Sequence, residues 1–278
     1  MTLFINMRRR PVGGGMYDEA YVVENATDTT LRGVAMPWPE VLKRVAGRRL
    51  LIHCHGFNVS MQSGIQSAVR MEQHLAPADD ELFLAVLWPG DYYVKVVNYS
   101  FEYRDAIEAG RLLATFIDKR CGGARSVSLG SHSLGGRVVL EALAATGTRV
   151  DQMCLAAPAV DASCLSKRFA PGLSRVQRLA VLTSKKDNVL RWAYPLGDFF
   201  SDIFGDSDSA LEGALGFGGP SPRGGPPVHW DPIPEKPPYD HGDYFPSGPP
   251  SAAKIKWIKS TEYWGRAMRG APGLKWEP

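Results

Sequence analysis

Long apolar runs are missing from this chain. No stretch approaches the roughly 20 residues that a membrane-spanning helix needs, so no integral membrane association is expected. Cysteine is scarce, with four in 278 residues. Cys54, Cys121, Cys154 and Cys164 show no C-x-x-C spacing, and Cys54 and Cys154 lie inside apolar strand-like runs, so no disulfide framework is implied. An excess of one charge is missing too: 32 Lys and Arg stand against 29 Asp and Glu, a net charge of +3. The basic runs, Arg8-Arg9-Arg10, Arg48-Arg49 and Lys185-Lys186, are short and read as solvated faces, so nucleic acid is not an expected partner. Met1 to Pro11 places its apolar residues ahead of its arginines, with no sustained apolar stretch before a small-residue cleavage site. That argues against a signal peptide, and the expectation is a soluble, cytoplasmic protein. Neither G-x-G-x-x-G nor G-x-x-x-x-G-K-[ST] occurs, which weighs against a phosphate loop.

What is present is an alternation of short apolar runs with helical stretches, in a chain 44% hydrophobic and 22% charged. Strands are expected at Leu3 to Met7, Ala20 to Glu24, Arg49 to His55, Leu82 to Leu87, Ser126 to Leu129, Gln152 to Ala157, Val176 to Thr183 and Val228 to Ile233. Helices are expected at Pro39 to Val45, Ser63 to Leu75, Asp105 to Arg120, Arg137 to Ala145 and Ala252 to Arg269. Leu50-Leu51-Ile52 is apolar on both faces, as in a strand covered on both sides, and crossovers long enough for a helix specify a parallel sheet. The fold class is α/β, a mostly parallel central sheet flanked by helices on both faces, in one domain spanning 1–278. The aromatic stretch 189–217 reads as a wall or cap, and the Gly/Pro-rich stretch 216–250 as a long surface loop. Tyr92, Tyr93, Tyr99, Phe101 and Tyr103, ahead of the third helix, read more readily as core than as pocket lining.

Gly130-Ser131-His132-Ser133-Leu134-Gly135-Gly136 sits between a strand and a helix. It has the form of a nucleophile elbow, in which the serine at the apex needs small neighbours two residues away on either side. Gly135 meets that demand, and Ser131 stands where glycine is usual. Ser131 itself is a poor nucleophile candidate, since its own two-residue neighbours are Leu129 and Ser133. An ordinary turn with capping serines is the plainer alternative. His55-Gly56-Phe57, at the end of a strand, is where this architecture places half of an oxyanion hole, the other half being the residue after the nucleophile. The proposed donors are the amides of Phe57 and Leu134, with His55, Gly56, His132 and Gly135 in support. His53 and His55 share one side of their strand but lack the further ligand spacing of a zinc site, so neither a metal nor a cofactor is expected. Catalytic groups in parallel sheets come from loops at the carboxyl ends of strands. Asp187 in Ser184-Lys185-Lys186-Asp187-Asn188 is the leading acid, with Asp161 as the alternative. His241 in Asp240-His241-Gly242-Asp243 is the leading base, because His229 falls within a strand. The order Ser133, Asp187, His241 is the order of this fold.

These stretches resemble an α/β-hydrolase family first catalogued as a domain of unknown function, DUF900. The resemblance is carried by Leu51 to Ser60 (LIHCHGFNVS), Leu87-Trp88-Pro89, Ser131 to Leu143 (SHSLGGRVVLEAL), Leu155 to Pro158, Thr183 to Leu190 (TSKKDNVL), Leu215 to Pro220 and Asp240 to Phe245 (DHGDYF). It implies the same Ser133, Asp187, His241 triad and names no substrate. Ser131, His53 in a strand position that is normally apolar, and Asp161 depart from the family pattern. The expected function is a serine hydrolase acting on a carboxylic ester or related acyl compound, with a small apolar or aromatic acyl substrate. An acyltransferase using the same triad and a non-catalytic binding or scaffold protein are the alternatives.

Overall fold

The computed structural model describes residues 1–13, 15–25, 34–91, 99–193, 213–246 and 256–277. Among them, eight strands form one sheet in the order β2-β1-β4-β3-β5-β6-β7-β8. These are β1 (Thr2–Arg8), β2 (Met16–Asn25), β3 (Arg49–Cys54), β4 (Glu81–Leu87), β5 (Ser126–His132), β6 (Val150–Ala156), β7 (Val176–Thr183) and β8 (Val228–Pro232). Only β2 runs antiparallel, at one edge, and every other neighbouring pair is parallel.

Side chains alternate between two cores, one on each face. Leu50, Ile52 and Cys54 of β3 face α1 (Trp38–Val45), α3 (Tyr99–Arg120) and α4 (Gly135–Ala145), joining Val41, Leu113 and Val138. Leu51 faces α2 (Met61–Leu75) and the last helix, α7 (Lys256–Met268), joining Ile65, Met71 and Trp264. Period-two alternation with both faces apolar is what a sheet covered on both sides demands. Two short helices, α5 (Asn188–Ala193) and α6 (Leu215–Gly218), lie after β7. All four cysteines are buried and free, and burial pushes the Cys121 thiol up to about 12.

β5 extends past the expected Leu129, because Ser131 and His132 pair with Leu155 and Ala156 of β6. Gly130 within it is no breaker: the Trp264 indole of α7 occupies the space where any Cβ would stand. Arg8 corrects the expectation of a solvated basic run. It is 1% exposed, ion-paired with buried Asp91, and donates to the carbonyls of Val59, at 3.0 Å, and Trp88, at 3.4 Å. A buried charge persists where it is paired and hydrogen-bonded. Of the expected cap 189–217, residues 194–212 lie outside the described residues. So do Tyr92 and Tyr93 and the side chains of Tyr99, Phe101 and Tyr103. No described helix is long and apolar enough to cross a membrane.

Candidate active site

The site lies beyond the carboxyl ends of β3, β5 and β7. At the end of β5 the chain reverses into α4 through Ser133, a non-glycine residue at φ +53°. Its amide donates to Ala156 O at 3.0 Å, while its carbonyl accepts from Gly136 at 2.9 Å and Ala159 at 3.1 Å. Three hydrogen bonds thus hold a left-handed conformation that on its own costs a serine about 1–2 kcal/mol. The neighbours must be small. A Cβ on Gly56 would come within 2.9 Å of the Ser133 Cβ, and one on Gly135 would collide with the carbonyl oxygens of Cys54 and His55. Gly135→Ala is accordingly expected to lower stability by about 1–3 kcal/mol, the usual range for overpacking, readable as a reduced urea midpoint.

Asp187 follows β7. It is fully buried; its Oδ1 accepts from the Leu190 amide at 2.9 Å, and its Oδ2 accepts from His241 Nδ1 at 2.7 Å. His241 opens a single turn, His241–Asp243, capped reciprocally by Asp240 and Asp243. That turn is fastened to the Asp187 loop: the Asn188 amide donates to Asp240 at 2.9 Å and the Ser184 hydroxyl to Tyr239 O at 2.7 Å. With Nδ1–H committed to the carboxylate, Nε2 is the bare acceptor, and Ser133 Oγ stands 2.8 Å from it. Residues 133, 187 and 241 therefore form one continuous hydrogen-bonded chain. The D-x-x-D spacing at 240–243 was a legible capping signal; the Ser184 and Asn188 fastenings were not.

The rival residues lie elsewhere. Asp161 Oδ1 accepts from the Ser163 amide at 2.7 Å, and the carboxylate that His241 engages is that of Asp187. His229 is in β8, 3.8 Å from Asp231. The Ser131 hydroxyl is enclosed, with no partner among the described residues. Leu134 is buried, and among the described residues no acceptor engages its amide. Phe57 lines the same cavity as Ser133. Its loop is steadied by Asn58, at φ +58°, whose amide donates to Gly90 O.

Three further imidazoles surround the chain. His55 donates Nδ1–H to Gly56 O at 2.9 Å and stacks on Trp88, ring centroids 5.7 Å apart. His132 donates Nε2–H to His241 O at 3.0 Å, bracing the turn that carries His241. His53 lies 4.8 Å from the Phe245 ring. Burial lowers the pKa of His53 to about 3 and of His55 to about 4. Burial first, then the charges of His241 and His53, holds His132 well below the ordinary range. The folded state keeps these rings neutral, whereas the unfolded chain protonates them below pH ~6.5, so stability is unaffected above that pH and is lost as pH falls from 6.5 toward 4 and 3. Each ring contributes a slope of about 1.4 kcal/mol per pH unit. Urea midpoints should fall from pH 6.5 to 5, and less steeply in His53→Phe; a flat profile would contradict the assignment. Among the described residues no group of three or more His, Cys, Asp or Glu is placed to hold a metal ion.

A mostly parallel eight-stranded sheet, with a left-handed serine between a central strand and its helix and with His and Asp arriving from later strand ends, is the architecture of an α/β hydrolase. The chain belongs to the family described as alpha/beta hydrolase of unknown function (DUF900), whose model matches residues 38–198. That span includes Phe57, Ser133 and Asp187; His241 lies beyond it. No curated protein matches the chain. Among solved structures, it is similar to a thermophilic esterase, Est2, from the planctomycete Thermogutta terrifontis, at 11% identity over 83% of this chain and 84% of that one, with a TM-score of 0.44. It is also similar to a predicted CIB-like hydrolase from Thermoplasma acidophilum, at 16% identity over 79% and 84% of the two chains, with a TM-score of 0.42.

Proposed function

We propose that the protein is a serine hydrolase that cleaves a small, uncharged carboxylic ester through an acyl-enzyme. The observation that carries this reading is the hydrogen-bonded chain from Ser133 Oγ through His241 to Asp187, built on a strained serine. In the proposed reaction Ser133 Oγ bonds to the ester carbonyl carbon as its proton passes to His241 Nε2. Asp187 keeps the ring in the Nδ1–H tautomer and balances the imidazolium. The Phe57 and Leu134 amides receive the oxyanion. The tetrahedral intermediate expels the alcohol, which takes the proton from His241, and leaves the acyl group on Ser133. Water then attacks the acyl carbon, giving its proton to His241. Collapse returns that proton to Ser133 and releases the carboxylic acid, so no outside reagent is needed.

An uncharged substrate follows from the cavity, whose described lining contains no Lys, Arg, Asp or Glu. The expectation of a greasy wall rested largely on residues 194–212, outside the described residues. Short p-nitrophenyl esters test the reading. Hydrolysis by wild type that vanishes in Ser133→Ala supports it, and equal rates from the two proteins reject it.

A further inference from the structure

Beside Ser133 lies a cavity of about 310 Å³. Three imidazoles, those of His53 and His55 buried and that of His132 half-buried, stand at its wall together with His241, and two of the three have their N–H engaged. His55 donates to Gly56 O, and His132 to His241 O; both act on the frame of the site. His53 does neither. It occupies a β3 position facing Trp264 and Phe245, where a phenylalanine would pack with no polar atom to desolvate. The residue is 5% exposed, it lines the cavity, and its Nδ1 is enclosed with no partner among the described residues.

A neutral imidazole carries one proton. An enclosed acceptor left bare is tolerated better than an enclosed N–H left without an acceptor, so the proton belongs on Nε2. A neutral, fixed donor thus stands at the cavity wall, and no described residue accepts from it. The position along the sheet indicates which half of a substrate it meets. His53 pairs with Gly130, three residues before Ser133 along β5, and so lies deeper than the nucleophile. The departing alcohol must leave past His241, which protonates it and is the more exposed of the two rings. The half that reaches the floor is the acyl half.

We infer that His53 determines acyl specificity by donating a hydrogen bond to an uncharged oxygen of the acyl group, so that the protein prefers small oxygen-bearing acyl esters, alkoxy-, hydroxy- or ketoacyl, over plain alkyl ones. This rests on the ester-hydrolase reading above. Without such an oxygen, the His53 donor stays buried and unpaired when the substrate seals the cavity, and sites built to hydrogen-bond a group discriminate against analogues that lack it.

The test pair is p-nitrophenyl methoxyacetate against p-nitrophenyl butyrate, which differ by an ether oxygen in place of one methylene. Each kcat/KM is divided by the ester's rate constant with hydroxide, which removes the difference in intrinsic reactivity. Wild type should favour methoxyacetate by about tenfold after this correction, the effect of one neutral hydrogen bond. His53→Phe should bring the ratio near one while still hydrolysing butyrate, and His53→Gln, which retains an N–H donor, should recover part of the preference. The same ratio in wild type and His53→Phe overturns the inference while leaving the hydrolase reading intact, and so does a wild-type ratio of one or less. If neither ester is turned over faster than by Ser133→Ala, the hydrolase reading falls, and this inference with it. Should His53→Phe fail to fold, the wild-type ratio decides alone.

Discussion

Ser133→Ala is expected to lower ester turnover by on the order of 10⁴-fold or more while leaving the fold intact. The variant retains the cavity and the Phe57 and Leu134 amides proposed to receive the oxyanion, so the residual rate expected is what such donors and binding alone supply. Only the hydroxyl is lost, along with its 2.8 Å contact to His241 Nε2; the three backbone hydrogen bonds that hold residue 133 do not involve the side chain. Alanine meets the same penalty at φ +53° as serine. Glycine does not, and Ser133→Gly should be equally inactive yet more stable than Ser133→Ala by up to about 1 kcal/mol. Steady-state kinetics with thermal melts of the three proteins separate chemistry from strain. A residual rate within tenfold of wild type would remove Ser133 from the reaction.

Asp187→Asn should cost about 10⁴-fold in kcat with KM little changed, a loss larger than an isosteric change of one atom would suggest. The environment of the carboxylate gives the reason. Oδ1 accepts from the Leu190 amide and Oδ2 from His241 Nδ1–H. If the asparagine oxygen stays on Leu190, its NH₂ faces Nδ1. The imidazole must then accept there and carry its proton on Nε2, pointed at the serine it should deprotonate. If the amide flips, its NH₂ opposes the Leu190 N–H and loses that bond. The first arrangement spoils the base without removing it; the second keeps the Nδ1–H tautomer but sets two buried donors against each other and leaves the imidazolium without a counter-charge. A loss of tenfold or less would mean that the carboxylate does not set the tautomer.

The central strands were legible in the sequence because both of their faces are buried, and Leu50-Leu51-Ile52 is an apolar run of the sort a doubly covered strand shows. That Ser133, Asp187 and His241 come together was legible because each lies beyond its own strand, where a parallel sheet presents its loops. Distant partners were not. Arg8 looks like part of a basic surface run until Asp91, 83 residues away, closes on it, and nothing local in Arg8-Arg9-Arg10 separates the buried arginine from its exposed neighbours. Gly130 reads as a strand end until Trp264, from the opposite end of the chain, needs the space above it. His53 reads as a weak metal-ligand candidate, and its lack of a hydrogen-bond partner among the described residues appears only beside the engaged rings of His55 and His132.

The most direct measurement is intact-protein mass spectrometry after brief exposure to a fluorophosphonate, which reacts with a serine activated by its neighbouring base. The account predicts one adduct on wild type, located at Ser133, none on Ser133→Ala, and markedly slowed labelling of His241→Ala. Equal labelling of wild type and Ser133→Ala, or an adduct on another residue, would contradict it.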